Sequence, residues 1–194
     1  MKFEMNILIA TSPGREDWLR DCTKSFGDIP LTIRSDFSYE IGKLRWAIEN
    51  TDWARFWLIQ DTVVIKDPDF LWNGWSMNSS VALTSHPVPF GMFMGIYSRK
   101  ILKKLDIPVI KSKEESIKEE CNFHNKYLEL ESVPVLFPDF DDDHATGTEF
   151  KHGRLNIKLE NDYLIKYKGT WLCGECVGKA ISCSHTDHVG SKLY

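Results

Sequence analysis

Over about the first hundred residues, short apolar runs alternate with stretches whose apolar positions recur at helical spacing. Asn6 to Ala10 is a run of strand length that breaks at Thr11-Ser12-Pro13-Gly14-Arg15. In that turn Ser12 is placed to cap a helix, Pro13 suits its first position, and Glu16 and Asp17 complement the positive end of its dipole. Trp18, Leu19, Cys22 and Phe26 then give the helix one apolar face. The unit repeats. Leu31 to Arg34 predicts a second strand ending at Ser35-Asp36, and Ile41, Leu44, Ala47 and Ile48 mark a second helix. Arg55 to Ile59 predicts a third strand, ending in Gln60-Asp61-Thr62, with Val63 to Ile65 continuing extended.

Strands that alternate with helices pair in parallel through right-handed crossovers, and ligands of such sheets bind beyond the carboxyl ends of the strands. Those ends carry Thr11 to Arg15, Asp36 and Asp61, which the topology brings together. Beyond Asp67-Pro68-Asp69 the pattern predicts a strand at Val81 to Thr84, another at Met92 to Tyr97, and a short helix from Ser98 to about 105. Ser112 and Glu115 form a capping box, opening a helix with Ile117, Cys121, His124 and Leu128 as its apolar stripe. From Val133 to Tyr167 the pattern turns to strands, with Leu155, Ile157 and Leu159 alternating. The expected fold class is α/β: a mixed, mostly parallel central sheet flanked by helices, with a C-terminal β-rich extension.

Composition narrows this picture. With 194 residues, 42% of them hydrophobic and 27% charged, the chain fits a single folded domain. No apolar run approaches the roughly 20 residues of a membrane span, and an acid at Glu4 is unlike a secretory signal, so a cytoplasmic protein is expected. A net charge of −4 provides no global field for nucleic acid, which stays only as a possible acceptor.

The five cysteines are an odd set, with Cys22 and Cys121 on apolar faces, so reduced thiols are expected rather than a disulfide framework. Cys173, Cys176, Cys183 and His185 nonetheless supply enough soft ligands for a structural Zn²⁺, an alternative to free thiols. Asp139, Asp141, Asp142, Asp143 and His144 are an acidic cluster that either binds a cation or faces water.

Taken in order, the Thr11 to Arg15 turn, Gly42-Lys43-Leu44-Arg45, Phe56 to Asp61 with its following valines, Gly91 to Gly95, Gly153 to Asn156, Lys166 to Trp171 and His188 to Ser191 resemble the GT-A glycosyltransferases, in particular small enzymes of bacteriophages and bacteria. The resemblance implies one GT-A-like, Rossmann-like domain, with residues 1–105 as the nucleotide-sugar half and 106–194 as the acceptor half and extension. It implies transfer of a sugar from a nucleotide-sugar, a UDP-sugar first, to a hydroxyl of a glycan or a modified phage DNA base.

Donor contacts are implied at Thr11, Pro13, Arg15, Asp36, Lys43, Arg45, Gln60, Asp61 and Gly95, and a catalytic base at Glu119 or Glu120. In such enzymes the third strand ends in a DxD-type motif whose carboxylates hold a divalent cation that neutralises the leaving diphosphate. Here the segment is Gln60-Asp61-Thr62, with one carboxylate. The resemblance therefore implies Mn²⁺ or Mg²⁺ on Asp61 and His188, with Thr62 on a metal-bound water, or a site without metal in which Arg15, Lys43 or Arg45 cover the phosphates. The degraded motif also leaves open a catalytically inactive nucleotide-binding module, and the C-terminal cysteines a zinc-stapled interaction protein.

Overall fold

The computed structural model describes residues 5–85, 89–90, 94–140 and 145–169. The apolar runs of the first half become strands: β1 (Ile7–Thr11) and β3 (Arg55–Gln60), buried on both faces, and β2 (Thr32–Ser35), an edge strand that alternates between half-buried and exposed residues. Between them lie α1 (Glu16–Ser25) and α2 (Tyr39–Asn50). β1 pairs in parallel with both β2 and β3. The five-stranded sheet has the order β2-β1-β3-β6-β5, in which β6 (Gly95–Ser98) runs antiparallel to β3 and to β5 (Val81–Ala82). Four strands thus share one direction and β6 alone is reversed. The sheet is mixed, as expected, but its pairings divide evenly between parallel and antiparallel rather than being mostly parallel.

Alternation along the central strands sorts the core into two halves. Ile7, Ile9, Trp57 and Ile59 face one cluster with Cys22 of α1 and Phe26 just past its end, whereas Leu8, Ala10, Phe56 and Leu58 face Ile41, Leu44 and Ala47 of α2. The second layer also holds α4 (Arg99–Leu102) and α5 (Lys113–Leu128), with Phe123 and Tyr127 of α5 fully packed.

Four details differ from the expectations. The chain after Asp61 does not extend β3: β4 (Val63–Ile65) leaves for a second sheet of order β4-β9-β8-β7, built with β7 (Ala145–Lys151), β8 (Arg154–Glu160) and β9 (Leu164–Gly169). Its leucines 159 and 164 join the α1 side of the core. A helix, α3 (Asp69–Ser76), packs Phe70 and Leu71 where the pattern predicts no element between Asp69 and Val81. Ser12 caps nothing, because α1 starts only at Glu16, with Arg15 at the cap position. Ser112 does cap α5, accepting from Glu115 N at 3.1 Å, but the buried face is Ser116, Phe123, His124 and Tyr127, while Ile117 is exposed. Two large aromatic rings outweigh one isoleucine in deciding which side of the helix turns inward.

The β7–β8 hairpin turns at His152 and Gly153, both at positive φ (50° and 77°), the geometry of the two-residue loops that match strand twist. It lays Lys151, His152 and Arg154 against Trp18 of α1: the His152 ring is 4.6 Å from Trp18, and the Arg154 guanidinium 5.2 Å. Lys151 and His152 are also tied to Asp21, each at 2.9 Å. Among the described residues no helix is long and apolar enough to cross a membrane.

Candidate functional site

After β1 the chain moves to β2 on one side and then to β3 on the other, so β1 and β3 bracket a topological switch point, where open α/β sheets bind ligands. Thr11 ends β1 and Asp61 follows β3. Their side chains meet, the Thr11 hydroxyl donating to Asp61 Oδ2 at 2.6 Å. Arg15 reaches in from the turn and grips the same carboxylate twice, Nε to Oδ2 and Nη2 to Oδ1, each at 2.6 Å. Asp61 is almost fully buried, whereas the Arg15 side chain keeps 27% of its exposure. Burial works against the Arg15 charge, but the hydrogen bonds and ion pair with Asp61, helped by Glu40, outweigh it and raise its pKa.

A second string of groups runs beside the first. Gln60 donates to Glu40 Oε1 at 2.7 Å and accepts from Lys166, whose ammonium also donates to Thr62 Oγ1 at 2.5 Å. Lys166 is buried in β9 because β4, β9's partner, directly follows Asp61-Thr62. Desolvation drives its pKa down to about 7 against the pull of Asp61 and Glu40. Arg154 belongs to the same field: desolvation first and repulsion from Arg15 second lower its pKa, with Asp61 acting the other way. Arg15, Lys166 and Arg154 therefore share the field of Asp61, and the first two that of Glu40 as well.

Asp36 stands at the end of β2, one strand over. It accepts from Arg34 Nε at 2.5 Å, from the Ser38 backbone N–H at 2.8 Å, from the Ser38 hydroxyl and from Lys43 Nζ at 3.0 Å. Burial opposes its charge, but the Ser38 and Lys43 hydrogen bonds hold the carboxyl far below the usual range. Three of these donors, all from Ser38 and Lys43, meet on Oδ1 and Arg34 takes Oδ2, so Asp36 orders the turn into α2. Lys43, itself buried, closes that turn by donating to the Asp36 carbonyl as well, at 2.8 Å. Phe37, in the same turn, is 68% exposed.

The remaining expected residues divide. Pro13 sits exposed in the turn between β1 and α1. Arg45 donates to the Ile107 carbonyl, tying α2 to the chain that leads into α5. Gly95 is buried in β6, and a Cβ there would lie 2.3 Å from the Val81 carbonyl oxygen and 2.7 Å from the Phe90 ring, so close strand packing demands the glycine. Glu119 accepts from Asn122 at 2.9 Å on the exposed side of α5. Glu120, on the same helix, acts electrostatically on Tyr97 in β6, as does Glu40. The start of α5 meets the start of α2, with the Lys113 ammonium 5.5 Å from the Tyr39 ring, which puts the glutamates' half of α5 toward the strand carboxyl ends. His188, Cys173, Cys176, Cys183, His185, Gly91 and Asp141 to His144 lie outside the described residues.

The structure thus joins Thr11, Arg15, Gln60 and Asp61 in one network and adds Glu40, Thr62, Lys166 and Arg154, which sequence reasoning did not select as donor contacts. Among the described residues no group of three metal-ligating side chains occurs. Oxygen ligands suited to Mn²⁺ or Mg²⁺ are in short supply here: both Asp61 oxygens face Arg15, and the oxygens of Gln60 and Thr62 face Lys166. The described donor set fits an anion better than a cation. Neither the family models nor the curated proteins searched match this chain.

Proposed function

We propose that this chain is a glycosyltransferase of the GT-A type, which binds a nucleotide-sugar at the carboxyl ends of β1, β2 and β3 and transfers the sugar to an acceptor hydroxyl. The observation that carries the reading is the convergence of Arg15, Lys166 and Arg154 on Asp61 at the topological switch point. A diphosphate leaving group gathers negative charge as the glycosidic bond breaks, and preorganised cations at that place stabilise it. The arrangement of one reversed strand beside the switch point, and a second sheet that opens directly after Asp61, agrees with such a domain. Phe37 offers an exposed ring to the nucleobase beside the turn that Asp36 orders. Glu120 is the base proposed for the acceptor hydroxyl, from a helix whose first half faces the same end of the sheet.

The test is release of nucleoside diphosphate from UDP-, GDP- and CDP-sugars, with and without Mn²⁺. Slow hydrolysis of one donor, lost in Glu120→Gln but with donor binding retained, is the expected result. No binding and no hydrolysis of any donor would sink the proposal. A second reading, a nucleotide-binding module without catalysis, is favoured by the hold of Arg15 and Thr11 on the Asp61 carboxylate, both of whose oxygens are engaged. It predicts donor binding with no release of diphosphate under any condition.

A further inference from the structure

The bidentate grip of Arg15 on Asp61 uses only one edge of the guanidinium. A guanidinium has five N–H donors. The grip consumes one on Nε and one on Nη2, which leaves the two on Nη1 and the second on Nη2 on the opposite edge. The side chain is partly exposed, at 27%, so the unused edge is not sealed into the core. Asp61 therefore holds the guanidinium in a fixed plane with one face of donors still to give, the geometry in which arginine receives phosphate oxygens.

Two more cations flank it. Lys166 is held from below by Gln60 and Thr62. Arg154 arrives from the β7–β8 hairpin, stacked over Trp18, which lies one helical turn beyond Arg15 on α1. Burial first and the charge of Arg15 second work against its own charge. Two guanidiniums and an ammonium that is about half protonated near neutral pH thus share the field of Asp61, and a dication brought among them would meet like charge. A bound diphosphate relieves that repulsion instead.

We propose that the site neutralises a diphosphate with Arg15, Arg154 and Lys166 in place of a divalent cation, and that Asp61 is the positioning residue for Arg15 rather than a metal ligand. The proposal rests on the reading of this site as a nucleotide-sugar site, and inorganic pyrophosphate separates the two. Arg154 is the first variant to make, because its guanidinium lies on the hairpin surface and its loss leaves the Arg15–Asp61 pair intact.

The experiment is calorimetric titration of the full chain with pyrophosphate and with UDP, GDP and CDP, in EDTA and again in Mn²⁺. Wild-type affinity in EDTA is expected within about threefold of that in Mn²⁺, and Arg154→Ala is expected to weaken binding by about tenfold with a shallower salt dependence. Asp61→Asn, which keeps the shape but loosens the guanidinium, is expected to weaken pyrophosphate equally in EDTA and in Mn²⁺. Binding that needs Mn²⁺, or an Arg154→Ala protein that binds as wild type does, overturns the proposal while leaving the nucleotide reading in place. Metal-free binding of pyrophosphate, sensitive to Arg154→Ala but with no nucleotide bound, supports the proposed cation set and overturns the nucleotide reading. Failure of every ligand to bind overturns both.

Discussion

Replacing Arg15 with alanine strips two charge-assisted hydrogen bonds of 2.6 Å from a carboxylate whose side chain is only 4% exposed. Breaking a buried pair from one side costs about 3–5 kcal/mol, because the orphaned charge keeps its desolvation penalty. Two features reduce that figure here. The Arg15 side chain is about a quarter open to water (27%), and Asp61 retains the Thr11 hydroxyl and the field of Lys166. A loss of about 2–3 kcal/mol is therefore expected, roughly a 1 M fall in the urea midpoint for a slope of about 2–3 kcal/mol per M. Seven tryptophans give a fluorescence signal for the titration. Asp61→Asn removes the charge that needs a partner, so adding Arg15→Ala to it is expected to cost little, leaving a coupling of about 2 kcal/mol in the double-mutant cycle. An Arg15→Ala protein within about 0.5 kcal/mol of wild type, or a cycle that is simply additive, would refute the claim that these side chains hold one another.

Phe37→Ala removes an exposed ring that touches no core and should leave stability within about 0.5 kcal/mol; nucleotide affinity should fall about tenfold if the ring stacks on the base, as calorimetry would show. Gly95→Ala puts a Cβ 2.3 Å from the Val81 carbonyl oxygen, which the sheet cannot move, so a loss of about 3 kcal/mol is expected. In thermal unfolding that is a fall in Tm of about 6–12 °C for a chain of this size. His124 is buried against Tyr97, its Nε2 3.0 Å from the phenol oxygen, and burial lowers its pKa to about 3. Below about pH 6.5 the unfolded chain takes up a proton that the folded chain refuses, so stability falls with pH by up to about 1.4 kcal/mol per unit until pH nears 3. Urea midpoints across that range should show this extra slope in wild type and lack it in His124→Gln.

The strands at Ile7–Thr11 and Arg55–Gln60 were legible because both faces are buried, which makes them nearly continuous apolar runs bounded by turn residues. From their order alone follows the meeting of Thr11, Arg15 and Asp61. Lys166, which the resemblance covers without giving it a role, and Glu40 are not legible as site residues for a physical reason: a lysine in a strand and a glutamate in a helix's first turn are the usual furniture of a solvated surface. Parity carried a signal, since Lys166 shares a strand face with Leu164, which is fully buried. The resemblance implies donor contacts at Asp36, Lys43 and Arg45, but the partners that occupy them are their own turn and the Ile107 carbonyl, contacts that the pattern does not reveal. On the helix after Ser112 the buried face differs from the expected stripe because Phe123 and Tyr127 have more surface to bury than Ile117. Arg154 needed a tight hairpin to swing it over Trp18, and only the fold shows where that hairpin lands.

A crystal structure of the chain soaked with UDP and its sugars tests the central claim most directly. The account predicts diphosphate density between the Thr11 to Arg15 turn and Arg154, with the free edge of Arg15 donating to phosphate and its other edge still on Asp61. A nucleotide seated elsewhere, such as the hollow lined by Met5, Pro30 and Trp53 at the opposite ends of the strands, or no bound nucleotide at saturating concentration, would contradict it.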